Sequence, residues 1–520
     1  MTSVTPPPAG RREWIGLAVL ALPILLISMD MTVLYLALPH LSADLRPSST
    51  EVLWIMDAYG FLIAGALIPM GALGDRTGRR RILLIGATMF CAASVLAAYS
   101  TSPAMLIAAR AALGIAGATV MPSALSLVRA MFHQPSQRGF AVAVVMTSFS
   151  VGTTIGPLLG GLLLEHFWWG SVFLLGIPVM VPLLVLGPML LPEYRSPGSG
   201  RLDVLSAAMS LSSVLAVVYA VKHVASGGFD LTAAASAVAG GAIGIAFVRR
   251  QQRLADPLID VGLLRNRAFS ISLTTILLGL IAMGGTQFFI SLFLQDVAGL
   301  SPLNAGLWMV PAMVSTIIGS MAAPVLTRRF HPAPVIGASL SLAAVGFAML
   351  VWNGPDDLWL LLAGYVVIAL GLSPMITLCT DLVISTAPAE RAGAASAMSE
   401  TAGEMGVALG VAILGSVGTA VYRLQVSDRL PEGLPPDAEA AARNTVSAAR
   451  AAAEDLADPL GSELLSAVRE AFSHGLNVTA ALAAVLVAVA AARAALRLRS
   501  LPAPADEAGG DRTPEAEETA

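Results

Sequence analysis

The sequence predicts an all-α membrane protein of about fourteen spanning helices, and three observations predict it. Apolar segments long enough to cross a bilayer recur from Trp14 to Leu496. Only 12% of the 520 residues are charged against 56% hydrophobic, with a mean hydropathy of +0.77, whereas an ordinary chain is roughly 25% charged. The arginines, finally, gather in alternate connecting segments.

The expected spans are 14–38, 51–72, 82–99, 103–126, 139–162, 167–191, 203–222, 229–248, 268–292, 303–326, 333–351, 357–380, 394–422 and 475–495. The first lacks a small-residue cleavage site after it and reads as a retained helix, not a removed signal peptide. It also carries Asp30, about 24 Å from its start at 1.5 Å per residue. A carboxylate at that depth costs on the order of 2.5–3.5 kcal/mol, so Asp30 is a functional-site candidate by default.

Orientation follows from the arginines. If the N-terminus with Arg11 and Arg12 is cytoplasmic, so are the Arg76–Arg81 loop, the Arg249–Arg267 connection and Arg493, Arg497 and Arg499, while the short outer loops hold only Arg46 and Lys222. Both termini are therefore expected inside. One outer segment, 423–473, is long, with Ala438–Ala453 and Ser462–Phe472 helical in pattern. The Pro- and acid-rich tail, 501–520, is expected to be a disordered cytoplasmic extension.

Between the second and third spans lies Gly71-Ala72-Leu73-Gly74-Asp75-Arg76-Thr77-Gly78-Arg79-Arg80-Arg81. Its glycines permit a tight turn, Asp75 can pair or cap, and the arginines anchor one membrane face. The pattern closely resembles the signature loop of the major facilitator superfamily. A weaker echo runs from Gly319 through Arg328, Arg329 and Phe330 to Pro334, as two related halves require. The resemblance implies a major facilitator fold with a six-helix half over 1–200, an inserted central pair over 201–260, and a second six-helix half over 261–500.

Further stretches narrow the resemblance to the fourteen-helix drug:proton antiporter branch. They are Met29-Asp30-x-Thr32…Ala37-Leu38-Pro39, with Tyr35 where that motif usually has Asn, then Arg110…Gly114…Gly117 and Gly152-x-x-x-Gly156-Pro157-x-x-Gly160-Gly161. His166–Phe173 and Ser396–Thr401 resemble the quaternary-ammonium exporters of the QacA and SmvA type. The resemblance implies proton-coupled export of hydrophobic, chiefly cationic drugs, dyes or quaternary ammonium compounds by alternating access. In the family the fifth-helix glycines and Pro157 are read as sealing the contact between halves, and Gly403, Gly406 and Gly410 are the expected partner face.

The residues themselves exclude much else. A phosphate loop needs a lysine followed by Ser or Thr, and the one lysine, Lys222, precedes His223. The six histidines have no ligand spacing, Cys91 and Cys379 lie in apolar segments, and no nucleophile–base set is visible. No enzyme, metal, cofactor or nucleic-acid partner is expected; drug-like small molecules, protons and the lipid bilayer are. A monomer is expected to suffice.

Asp30, Asp57 and Arg110 fall at similar depths and can meet, either as a static ion pair or as a switchable proton site in which two acids compete for one arginine. Glu400 and Glu404 share a helix face. Two nearby carboxylates repel, so one is expected to keep a proton until a cation arrives. Alternatively, Glu404 pairs locally and Glu400 alone faces the cavity. Trp54 and Phe61 flank Asp57 at helical spacing as an aromatic wall for a lipophilic cation, or Trp54 belongs to the interfacial belt. Tyr35 joins the substrate-binding candidates. Two rivals stay open: an exporter dedicated to an endogenous antibiotic or other metabolite, and a membrane sensor that does not transport.

Overall fold

Hydrocarbon offers backbone amides and carbonyls no water, so each apolar segment must satisfy its own as a helix. The computed structural model describes residues 9–195, 203–227, 230–254, 262–327, 329–387 and 392–498, and among them there is no strand. Arg201, Arg328, Arg391 and the 501–520 tail fall outside the described residues, as does the side chain of Asp75.

The helices are α1 (Arg11–Leu45), α2 (Ser49–Thr77), α3 (Arg79–Ala98), α4 (Pro103–Gly117), α5 (Val120–Met131), α6 (Pro135–His166), α7 (Ser171–Leu174), α8 (Gly176–Leu190), α9 (Val204–Gly227) and α10 (Leu231–Gln251). They continue with α11 (Arg267–Leu292), α12 (Pro302–Thr327), α13 (Pro332–Leu350), α14 (Leu358–Ser385), α15 (Ala392–Gly410), α16 (Ser416–Ser427), α17 (Pro436–Asn444), α18 (Val446–Glu454) and α19 (Leu460–Leu498). A π-helical turn, Val411–Gly415, joins α15 to α16, and another, Phe293–Val297, ends α11.

Among the described residues, thirteen stretches are long and apolar enough to cross a membrane. The fourteenth expected span is α9, whose apolar part is the shorter Leu205–Val217. The expected 103–126 span is present as Pro103–Met131 but is broken into two helices at Ala118–Thr119, where Thr119 Oγ1 bonds the Ala116 carbonyl at 2.8 Å. Pro122 explains the break: it lacks an amide for the Ala118 carbonyl, and its ring crowds that oxygen. Ser462–Phe472 is not a separate loop helix. It forms the first turns of α19, which at 39 residues is about 58 Å long. Ser48 and Glu51 start α2 with a reciprocal cap, the Ser48 amide donating to Glu51 Oε2 at 2.8 Å and the Glu51 amide to Ser48 Oγ at 3.3 Å.

One group of helices packs through α1 on α6, α2 on α4 and α3 on α4 and α8; another packs through α13 on α14 and α19, α12 on α14 and α11 on α15. α9 and α10 pack on each other, and α9 leans on α2, with Leu211 against Gly65. The groups meet along α6 with α12 and α2 with α15. α17 and α18 close one end of the bundle. There Tyr422 donates to the Ala442 carbonyl at 2.7 Å, Ser447 to Asp296 at 2.6 Å and Arg450 to the Gln295 carbonyl at 2.7 Å.

Candidate proton and cation site

Three helices converge on Arg110 of α4. Its Nη1 donates to Asp30 Oδ2 of α1 at 2.6 Å, its Nε donates to the Ile55 carbonyl of α2 at 3.3 Å, and its guanidinium lies 4.5 Å over the Tyr59 ring. Arg110 and Asp30 are both buried. A planar, permanently charged fork suits this position, because it can bond two groups while a ring covers its face. Tyr59 in turn donates to the Ile27 carbonyl of α1 at 3.4 Å. Asp57 is buried on α2, and its charge and that of Arg110 both act on Tyr35, which also lies near Tyr365 of α14. Asp30 and Arg110 are thus joined directly, with Asp57 and Tyr35 beside them.

Glu400 and Glu404 sit one turn apart on α15 and act on one another electrostatically. Glu404 also acts on Tyr59, the residue under the Arg110 guanidinium. The α15 acids therefore stand across from the α1–α2–α4 cluster. Glu404 Oε2 is buried without a hydrogen-bond partner among the described residues, and so is Thr401 Oγ1 one turn away. A buried polar oxygen left unbonded costs about 1–3 kcal/mol, so this position is suited to a proton or a cation. Phe61 is buried against Ala408 and Ala412, with Trp54 packed on the same cluster, so both aromatics stand in the α2–α15 seam. Asp381 is exposed at the other end of α14.

The basic loop is held from the far end of the same helix group. Gly78 has φ +113°, which only glycine adopts readily, and a methyl there would meet the Glu193 carboxylate. The Arg80 amide donates to Glu193 Oε1 at 3.1 Å, and its Nη1 bonds the Pro188 and Leu191 carbonyls at 3.1 and 3.0 Å. The Arg79 amide donates to the Tyr194 carbonyl at 2.9 Å. Gly71 approaches Pro122, Gly74 lies under Ile82 and the Arg79 side chain, and Arg76 is half-buried.

The family model described as Major Facilitator Superfamily matches residues 20–411. The chain belongs to the major facilitator superfamily. It is 44% identical over 474 residues to the multidrug efflux pump LfrA of Mycolicibacterium smegmatis, covering 91% of this chain and 94% of that one. It is 33% identical to the methyl viologen resistance protein SmvA of Salmonella typhimurium, covering 90% and 95%. Among solved structures it resembles a bacterial homologue of the human lysosomal transporter Spinster in an inward-facing, unoccupied conformation. That match has TM-score 0.65 and 19% identity, and covers 94% of this chain and 98% of the other.

In this major facilitator, the α6 glycines correct one expectation. Gly152, Gly156 and Gly160 do not face Gly403, Gly406 and Gly410. A methyl at Gly152 would overlap Ser28 Oγ and the Leu25 carbonyl, one at Gly156 would overlap Thr32 Oγ1, and one at Gly160 would lie 2.9 Å from Val33, all on α1. Gly406 and Gly410 instead meet Leu277, Leu280 and Ile281 on α11, and Gly403 meets Leu280. Small residues permit a close approach but do not name the helix that makes it. The contact between the two groups is made one residue further on. A methyl at Gly161 would lie 2.7 Å from Leu303 Cα, and one at Gly306 2.7 Å from the Pro157 carbonyl.

Four features of the structure were missed in the sequence. Glu193 could have been suspected, as an acid directly after Pro192 at a helix end facing an arginine loop. Tyr59 lies two residues from Asp57 and covers Arg110. Tyr365 donates to Gln287 of α11, a buried polar pair that no periodicity marks. Asp296, bonded to Ser447, depends on a contact 151 residues away.

Proposed function

We propose that this chain is a proton-coupled antiporter that exports hydrophobic, chiefly cationic drugs, dyes or quaternary ammonium compounds by alternating access. The observation that carries the reading is the buried Asp30–Arg110 pair standing across from Glu404. A permanent ion pair inside a bundle is weak support for stability, so its use lies in being opened. A proton on Asp30 removes its attraction for Arg110 and frees the α1–α4 junction to rearrange. A cationic substrate held near Glu400 and Glu404 leaves as protons take its place. One relative is named a multidrug efflux pump and another a methyl viologen resistance protein, and methyl viologen is an aromatic dication.

The same reading places both termini in the cytoplasm, takes 1–200 and 261–500 as the rocking halves and 201–260 as the inserted pair, and needs one copy. On that orientation, contacts between the halves at Gly161–Leu303, Pro157–Gly306 and Leu53–Gly415 lie toward the outer end. We take this conformation as closed outside.

Dye efflux from loaded cells should stop when an uncoupler collapses the proton gradient, and efflux unaffected by the uncoupler would refute antiport. Glu400→Gln removes a charge but keeps the shape. Resistance to dicationic compounds should fall about tenfold, equivalent to about 1.4 kcal/mol of lost attraction, with monocations less affected. Unchanged dication resistance in a growth assay would remove Glu400 from the substrate site.

A further inference from the structure

We infer that the groove between α9 and α10 binds an anionic phospholipid, its headgroup on Arg249 and Arg253 and its acyl chains along the apolar walls. The helices touch along a narrow stripe: Ser213 donates to the Gly240 carbonyl at 2.7 Å, and Gly240 and Gly244 lie against Val217 and Ser213. Away from that stripe α10 is open, with Val238, Ile245 and Val248 at 72, 57 and 42% exposure. A cavity of about 780 Å³ opens beside it, walled by Leu205, Met209, Ala242, Ile245 and Ala246 and ending in Arg249, Arg250 and Arg253.

The three arginines are not equivalent. Arg250 is committed to Asp203, its Nε and Nη2 donating to the two carboxylate oxygens at 2.9 and 3.0 Å. Ser206 and Gln251 complete that network, with Gln251 Nε2 donating to Ser206 Oγ at 2.7 Å. The Arg250 hydrogen bond holds the Asp203 carboxyl down at about 2, so the pair stays charged at physiological pH. Arg249 and Arg253 are exposed and have no acidic partner among the described residues. Two exposed guanidiniums at the end of a lipid-facing apolar groove match a phosphate headgroup above acyl chains. Basic pockets between spanning helices bind such headgroups, each arginine adding about fivefold in affinity.

The test uses the full chain purified in detergent and titrated with phosphatidylglycerol or phosphatidylcholine, with bound lipid counted by native mass spectrometry. Wild-type protein should prefer phosphatidylglycerol. The double variant R249A/R253A should lose roughly thirtyfold of that preference, while the Asp203–Arg250 pair keeps the two helices together. Ile245→Trp, which fills the groove and leaves every arginine in place, should lose lipid as well. The inference is overturned if the double variant or Ile245→Trp retains phosphatidylglycerol like wild type. Full competition by equimolar inorganic phosphate would also overturn it, since the arginines would then hold a free anion. So would efficient crosslinking of Ile245→Cys between two copies in membranes, since a second chain would then cover the face.

Discussion

Asp30→Asn is expected to abolish proton-coupled efflux while leaving normal amounts of protein in the membrane. Asparagine keeps the size of the side chain and an oxygen that can accept from Arg110, now 2.6 Å from the carboxylate. It removes the charge and the ability to gain and lose a proton, so the junction of α1, α2 and α4 is held permanently in one of its two charge states. Removing one member of a buried pair costs about 3–5 kcal/mol when nothing replaces it. Here the Ile55 carbonyl and the Tyr59 ring still hold the guanidinium, so folding is expected to survive and turnover to be lost. Arg110→Ala is the contrasting variant. It strands a carboxylate that no other hydrogen bond from a described side chain supports, and protein levels should fall as well as efflux. Immunoblotting of membranes beside ethidium efflux separates the two outcomes, and wild-type resistance with Asp30→Asn would end the proposed role.

The acid in helix 1 was legible because a carboxylate has few reasons to lie in a bilayer, and the arginine at matching depth named its partner. Depth along a helix can be counted from a sequence. Rotation about the helix, and which neighbour stands where, cannot. That is why Gly152, Gly156 and Gly160 were placed on one face correctly but against the wrong helix: the spacing fixes the face, while α1 occupies the space opposite. Pro122 marks the α4–α5 break in the sequence itself, because it leaves the Ala118 carbonyl without a helical donor. Ser462–Phe472 read as a loop helix because its polar residues hid its continuity with the apolar part of α19. Asp296 and the Tyr365–Gln287 pair depend on contacts between distant segments and carry no local signal, whereas Glu193 has one in its place after Pro192 at a helix end. The Major Facilitator Superfamily fold itself was legible from motif order, since several short patterns in the right sequence constrain a chain more than any one of them.

Gly161→Val should disturb the contact between the two helix groups without disturbing either group. The added side chain begins 2.7 Å from Leu303 Cα and the Pro302 carbonyl oxygen, which are backbone atoms of the α12 start and cannot swing aside. Overpacking of this kind costs about 1–3 kcal/mol. In a transporter with two arrangements, that cost falls only on the arrangement in which α6 and α12 touch. A bias of about 1–3 kcal/mol changes the ratio of the two states roughly 5- to 150-fold, so α17, α18 and the adjoining ends of α1 and α11 should part more often. Ser42 lines the small cavity beneath α17 and α18 with Leu38, Phe288 and Tyr422, which makes Ser42→Cys a reporter. Its labelling by an impermeant thiol reagent should rise in the Gly161→Val background and dye efflux should drop. Gly152→Ala gives the opposite pattern. Its methyl meets Ser28 and Leu25 inside a single helix group, so it should lower the amount of folded protein and leave Ser42→Cys as protected as before. If Gly161→Val leaves labelling unchanged, the α6–α12 contact does not open during the cycle, and the seam between the moving parts lies elsewhere.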